Sequence, residues 1–156
     1  FYLANTPVDG IPYWDTGGPN LHRLGDYLNR PADPFNEFEP VDSSAACIAA
    51  QGLIRIGNWL TASDPKRAKT YQQAGIQLAS VLFSEPYLST QVAHQGLILH
   101  SIYHQPNGWD YVPEKGKVAH GESSMWGDYH ARELALLIQR MANKDPYYTY
   151  LNCVPA

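Results

Sequence analysis

Two short strings hold the residues best placed to do chemistry: Val41-Asp42-Ser43-Ser44-Ala45-Ala46-Cys47-Ile48-Ala49-Ala50-Gln51-Gly52-Leu53 and Trp126-Gly127-Asp128-Tyr129. Each sets a carboxylate beside hydroxyl or aromatic groups where an apolar helix begins. The start of a helix has unpaired N–H groups and a partial positive charge. It therefore holds an anion or a capping carboxylate. Two such starts predict helices that turn their N-terminal ends toward one pocket. Eleven tyrosines and four tryptophans are many for 156 residues. Such a surplus serves a core, an interface or a platform for sugar rings, with core and interface weighing more.

The elements that must position these residues are helical. Asp42 is a natural N-cap for a helix over Ser43–Leu60, with Ala45, Ala49, Leu53, Ile56 and Leu60 at helical spacing and Ala46, Ala50 and Ile54 on a second face. An alanine-rich helix that is apolar all round is expected to be buried. Asp64-Pro65 marks a cap and first helical position, and the next helix runs to about Phe83. Its stripe is Tyr71, Ala74, Leu78, Ala79 and Leu82, and its polar residues point to an outer helix with a wet face. A short helix is expected over Gly96–Tyr103, and a strong one over Asp128–Met141 with Leu134, Leu137, Ile138 and Met141 inward. Asp145-Pro146 could open one further turn. Residues 1–41 hold six of the twelve prolines and read as loop, with a short helix around Leu21–Leu28; residues 104–122 also read as loop. So long an irregular segment lines a site or packs on something else. No strand pattern stands out.

Alternating buried and outer helices suit an all-α fold of helical hairpins, a layered or toroidal assembly. The 156 residues make one domain or a part of one. Closing a ring of about twelve helices takes well over ~200 residues, so the ring is expected to be incomplete in this chain. The start, Phe1-Tyr2-Leu3-Ala4-Asn5, lacks Met and the basic start of a signal peptide, as expected of a cut inside a larger protein or of a processed form. The net charge of −4 disfavours nucleic acid as a partner, and no stretch is apolar enough to span a membrane. Cys47 reads as a small buried residue; a disulfide with Cys153 stays open. The compartment is not set by the sequence.

The ordered strings Ile11-Pro12-Tyr13-Trp14-Asp15, Asp42-Ser43-Ser44-Ala45-Ala46 with Ala49-Ala50 and Gly52-Leu53, Leu97-Ile98-Leu99-His100-Ser101-Ile102-Tyr103-His104 and Trp126-Gly127-Asp128-Tyr129 resemble the C-terminal part of the unsaturated glucuronyl hydrolases, glycoside hydrolase family 88. The resemblance covers nearly the whole chain. It implies part of an (α/α)6 barrel that acts on the unsaturated uronic acid left at a non-reducing end by polysaccharide lyases. In this family a carboxyl group protonates the enol-ether double bond, water adds at the neighbouring carbon, and the hemiketal opens. One carboxyl group of suitable pKa then serves as acid and as base, without the usual two-carboxylate displacement. The family needs no metal or cofactor. Its principal catalytic aspartates lie in the N-terminal half, and nothing in residues 1–156 matches them. No catalytic residue is therefore assigned, and the chain alone is expected to lack the acid/base. The partners implied are an unsaturated uronate-terminated oligosaccharide and either the rest of the barrel or another copy of the chain.

On that footing the candidate substrate-binding residues are Tyr103, Trp14, Asp15, Trp126, Asp128 and Tyr129. Tyr103 matches a family tyrosine that contacts the uronate. Trp14 could stack on a sugar while Asp15 accepts its hydroxyls; alternatively Trp14 anchors a loop and Asp15 caps Gly17 or Gly18. Trp126, Asp128 and Tyr129 open an inner helix close to the pocket. His100 and His104 flank Tyr103 at a four-residue spacing; without a third ligand they read as packing rather than metal ligands. Lys115-Gly116-Lys117 lies where the family touches the sugar beyond the cleaved bond, but lacks the serines of a sulfate-binding version and reads as a surface turn. Two other readings are an unsaturated rhamnogalacturonyl hydrolase and a non-catalytic helical module that binds sugar or a partner chain.

Overall fold

A computed structural model describes residues 1–146, and these are helical and irregular. Four α-helices follow in order: α1 (Tyr2–Asn5), α2 (Ser43–Leu60), α3 (Pro65–Leu82) and α4 (Met125–Asn143). Among the described residues there is no strand, only isolated bridges pairing Tyr13 with Val41 and Leu88 with Ile98. The turn expected from Asp145-Pro146 and the Cys153 question lie outside the described residues.

The α2–α3 hairpin is antiparallel and close-packed, and small residues make it so. A Cβ added at Gly57 would meet the Ala68 carbonyl at 2.9 Å, and one added at Gly75 would meet the Ala50 carbonyl at 2.9 Å and Ile54 Cγ1 at 2.7 Å. The connection between the two helices is short, and Asp64 caps α3 by accepting from the Arg67 N–H. Helix α4 runs parallel to α2. Ser44 lies against Gly127, Gln51 donates to the His130 carbonyl at 3.1 Å, and Asn58 lies beside Met141. Ala46, Cys47, Ala50 and Ile54 of α2 meet Ala131, Leu134 and Leu137 of α4 and Leu78, Ala79 and Leu82 of α3 in one core. This is an inner helix with its outer partner and the next inner helix, and its parallel sense puts the start of α2, the end of α3 and the start of α4 at one end. The long irregular segments, 6–42 and 83–124, gather at that same end.

Four expectations are corrected. Helix α2 is not buried all round: Ile48, Ile56 and Trp59, the last 72% exposed, leave an apolar stripe uncovered. Residues 96–103 form no helix. The amides of Leu97 and Ile98 donate to Asp128, that of Leu99 to the Tyr87 carbonyl and that of Ser101 to the Glu122 carbonyl. His100 sits at φ 66°, which breaks any helical run. The segment instead threads between other elements, and the i, i+4 relation of His100 and His104 loses its meaning. The turn at Leu21–Leu28 splits into 3-10 turns at Leu21–Leu24 and Tyr27–Asn29, because Gly25 between them turns to φ 68°. Tyr2–Asn5, expected as loop, form the four-residue α1.

Candidate functional site

The starts of α2 and α4 meet, and the extended stretch 100–103 runs between them. Asp42 caps α2: one carboxylate oxygen accepts from the Ser44 N–H at 2.9 Å, the Ser44 hydroxyl at 2.6 Å and the Ala45 N–H at 3.3 Å. The same oxygen takes the Ile102 N–H at 3.4 Å. The Ser43 N–H donates to the His100 carbonyl, and the Ala46 N–H to the Asp42 carbonyl. All four first-turn amides of α2 are thus partnered within the chain, and the carboxylate, not an outside anion, meets its partial positive charge. Burial pushes the Asp42 carboxyl above its ordinary range, and its hydrogen bonds offset part of that rise.

Helix α4 begins three residues earlier than its apolar pattern suggests. Ser124 is its cap, accepting from the Gly127 N–H at 3.0 Å while its hydroxyl lies 2.5 Å from that of Ser101. A side chain at Gly127 would crowd its neighbours. A Cβ there would stand 3.0 Å from Ser124 Oγ, 3.1 Å from Ser101 Oγ and 3.4 Å from Ser44 Cβ. The glycine lets α4 open against both α2 and the threading segment.

Tyr103 leaves this junction at the surface, 56% exposed. The Trp126 indole stacks on its ring at 5.1 Å between centroids and 28°, and the Trp109 indole at 5.7 Å and 27°. Two of the six candidates, Tyr103 and Trp126, are therefore brought together at the start of α4. Tyr129 lies one turn on, exposed, with its hydroxyl donating to Glu133. Asp128 turns inward: both its oxygens accept from the Leu97 N–H, at 2.9 and 3.0 Å, and one takes the Ile98 N–H at 3.1 Å. Its carboxylate fixes the loop. Trp14 and Asp15 join a separate network. The Trp14 indole N–H donates to the buried Glu39 carboxylate at 2.6 Å, and Asp15 accepts from the Gly17 N–H at 2.6 Å. The bonds Trp14 N–H to Pro40 carbonyl and Asp42 N–H to Pro12 carbonyl lay this loop along the approach to α2, at the same end of the molecule.

Sequence reasoning missed Trp109, Asp110, Glu39 and the Ser101–Ser124 pair. Their roles arise from contacts across the chain, and only Ser124, a hydroxyl ahead of an apolar run, left a local signal. His100 is buried, 2% exposed, edge-on to Phe35 and Tyr87. Its Nδ1 accepts from the Gly121 N–H at 3.1 Å, so the neutral ring has its proton on Nε2. Burial, and then the neighbouring His120, pull its pKa down to about 4. Lys117 is paired with Glu37 at 2.8 Å. Among the described residues no group of three or more His, Cys, Asp or Glu side chains is placed to hold a metal ion. No helix there is long and apolar enough to cross a membrane. A cleft of about 390 Å³ lies between Phe35, Glu85, His94 and His100, and one of about 420 Å³ between α1, Leu53 and Leu78. Neither is lined by the six candidates.

No family model matches the chain. The unsaturated glucuronyl hydrolase of Bacillus sp. strain GL1 is 27% identical over 140 residues, covering 89% of this chain and 30% of that protein. Its crystal structure, described as that of an enzyme responsible for the degradation of glycosaminoglycan, matches with a TM-score of 0.62 at 28% identity over 89% of this chain and 30% of its own. An Asp-to-Asn variant of the Streptococcus agalactiae unsaturated glucuronyl hydrolase matches with a TM-score of 0.61 at 25% identity, covering 94% of this chain and 34% of that one. Another solved Asp-to-Asn variant, studied with dGlcA-Glc-Rha-Glc, gives 0.62 at 28% identity over 89% of this chain and 30% of its own. This chain thus spans about a third of the length of the relatives it matches. In sequence and in fold it is a relative of the unsaturated glucuronyl hydrolases, which are glycoside hydrolases, and it carries part of their α/α toroid.

Proposed function

We propose that this chain is the sugar-holding wall of an enzyme that hydrolyses unsaturated uronyl oligosaccharides by hydrating the double bond of the terminal sugar. The observation that carries the reading is the meeting of the α2 and α4 starts next to the stacked rings of Tyr103 and Trp126, in a chain whose relatives are named unsaturated glucuronyl hydrolases. The Tyr103 hydroxyl is a donor and acceptor suited to a uronate or a ring hydroxyl. Tyr129 and the indole of Trp126 extend the aromatic surface that sugars favour. The carboxylates at this end are committed to structure: Asp42 to its cap, Asp128 to the 97–98 amides, Asp15 to Gly17. The proton for the enol ether comes instead from a carboxyl group on the rest of the toroid. Helices of that remainder also cover the Ile48, Ile56 and Trp59 stripe. The turn that holds Lys117, an exposed partner of Glu37, lacks the serines of a sulfate-binding version, which favours an unsulfated sugar beyond the cleaved bond.

The test follows the ultraviolet absorbance of an unsaturated uronyl disaccharide. The expected result is no loss with this chain alone, and steady loss once a polypeptide supplying the remaining helices of the ring is joined to it. Turnover by the chain alone would place the acid among residues 1–156. An assembled ring that leaves the double bond intact would end the hydrolase reading.

A further inference from the structure

The loop from Tyr103 to Asp110 closes on itself. The Asp110 carboxylate accepts both the Tyr103 N–H and, at 2.8 Å, the His104 N–H. Between them Gln105–Asn107 makes a single 3-10 turn, with the Asn107 N–H on the His104 carbonyl at 3.2 Å. Gly108, at φ 63°, turns the chain back. This return delivers Trp109 onto Tyr103, while His104 lies 5.1 Å from the other ring of that pair, Trp109. Trp109 is itself 61% exposed. An exposed indole usually adds little to a core, yet here a carboxylate, a glycine and a helical turn are arranged to set it against one side chain.

The consequence concerns how Tyr103 meets a sugar. Two indoles stacked on one phenol hold the plane of its ring, while Tyr103 itself stays 56% exposed. A tyrosine that works through its hydroxyl needs the direction of its Cζ–O bond fixed, and the ring faces are the place to fix it. We infer that Trp109 and Asp110 are positioning residues for Tyr103: Asp110 pins its backbone, Trp109 pins its ring against Trp126, and together they aim the hydroxyl at the unsaturated sugar. The inference rests on the hydrolase reading above. It assigns Trp109 no sugar contact of its own.

The experiment measures kcat and KM for an unsaturated uronyl disaccharide in the complete enzyme that carries this chain. The variants are Tyr103→Phe, Trp109→Ala, Trp109→Phe and the Tyr103→Phe/Trp109→Ala double. Tyr103→Phe removes the hydroxyl and keeps the stack, and should lower kcat/KM about tenfold, the scale of one good hydrogen bond to a charged group. Trp109→Ala should cause a similar loss, Trp109→Phe should restore most of it, and the double variant should be no worse than Tyr103→Phe. Such non-additivity marks residues that act through one group. If Trp109→Ala fails to fold, Trp109→Leu, bulky but not flat, serves the same comparison. A Trp109 variant without loss, or one whose loss repeats in full on the Tyr103→Phe background, would overturn the inference. So would a silent Tyr103→Phe in an enzyme that still turns over its substrate, and that result would leave the hydrolase reading standing. No turnover by the unsubstituted enzyme would instead overturn the reading itself.

Discussion

Among single residues, the acids divide by what their oxygens already hold. Asp42 accepts from two amides and a hydroxyl of its own helix and from Ile102 across the junction. Asp42→Ala should cost about 1–2 kcal/mol, the usual range for a lost cap, checked by denaturant unfolding. Asp42→Asn should recover most of it. That cap was legible in the sequence, since an Asp directly ahead of Ser-Ser-Ala-Ala is a local signal. The Asp128 bonds to Leu97 and Ile98 were not, because they link residues 31 and 30 apart along the chain. His100 shows the same limit. Nothing in its neighbours in sequence says that it is buried at positive φ beside Phe35, Tyr87 and His120. Its pKa falls from 6.5 to about 4 on folding. The unfolded chain therefore binds the proton more tightly, so stability is full above that window and is lost as pH drops from about 6.5 toward 4. Asp9 and Asp42, both raised by burial, act with the opposite sign in the carboxylate range. His100→Asn tolerates the left-handed backbone and removes the titration. Thermal unfolding at about pH 7 and about pH 5 should show a smaller drop for this variant than for the unsubstituted protein.

At the scale of elements, periodicity and caps located α2 and α3 to within a residue, because both signals are local. Helix α4 was found but begun late, since its first turn, Met125-Trp126-Gly127, packs by shape and not by apolar spacing. The stretch 96–103 read as helical from its run of Leu, Ile and His, and became extended because the amides of Leu97, Ile98, Leu99, Ser101, Ile102 and Tyr103 found partners elsewhere. Tertiary bonding decided it, as it does for short apolar runs. The close α2–α3 approach depends on Gly57 and Gly75. Gly75→Ala would press a methyl group into the Ala50 carbonyl and Ile54, and should destabilise the protein by about 1–3 kcal/mol, the cost of overpacking. Gly75→Ala with Ile54→Val should recover part of that loss if the clash with the Ile54 side chain contributes to it. Gly127→Ala presses on Ser101, Ser124 and Ser44 instead. Since Gly127 follows Trp126, whose indole stacks on Tyr103, that crowding should weaken sugar binding even where the unfolding midpoint changes little.

Across the whole molecule, one end gathers both inner-helix starts, the threading segment and the aromatic residues, while one side of α2 stays bare. The stripe of Ile48, Ile56 and Trp59 is a surface that drives association when nothing covers it. Light scattering on the 156-residue chain should show species larger than a monomer, and Trp59→Glu should shift them toward the monomer. An incomplete ring with uncovered apolar faces was legible from alternating buried and outer helices in so short a chain; which side of α2 stays bare was not, because an alanine-rich helix gives the same pattern whether one neighbour or two will pack on it. On the proposed function, the shared end of α2 and α4 holds the sugar. The most direct measurement is an NMR titration of the chain with an unsaturated uronyl disaccharide. Shifts are expected in the Tyr103 ring and the Trp126 and Trp109 indoles, with the far ends of both helices, near Asn58 and Met141, unmoved. Shifts confined to the cleft of Phe35, His94 and His100, or to the far helix ends, would contradict the proposed function.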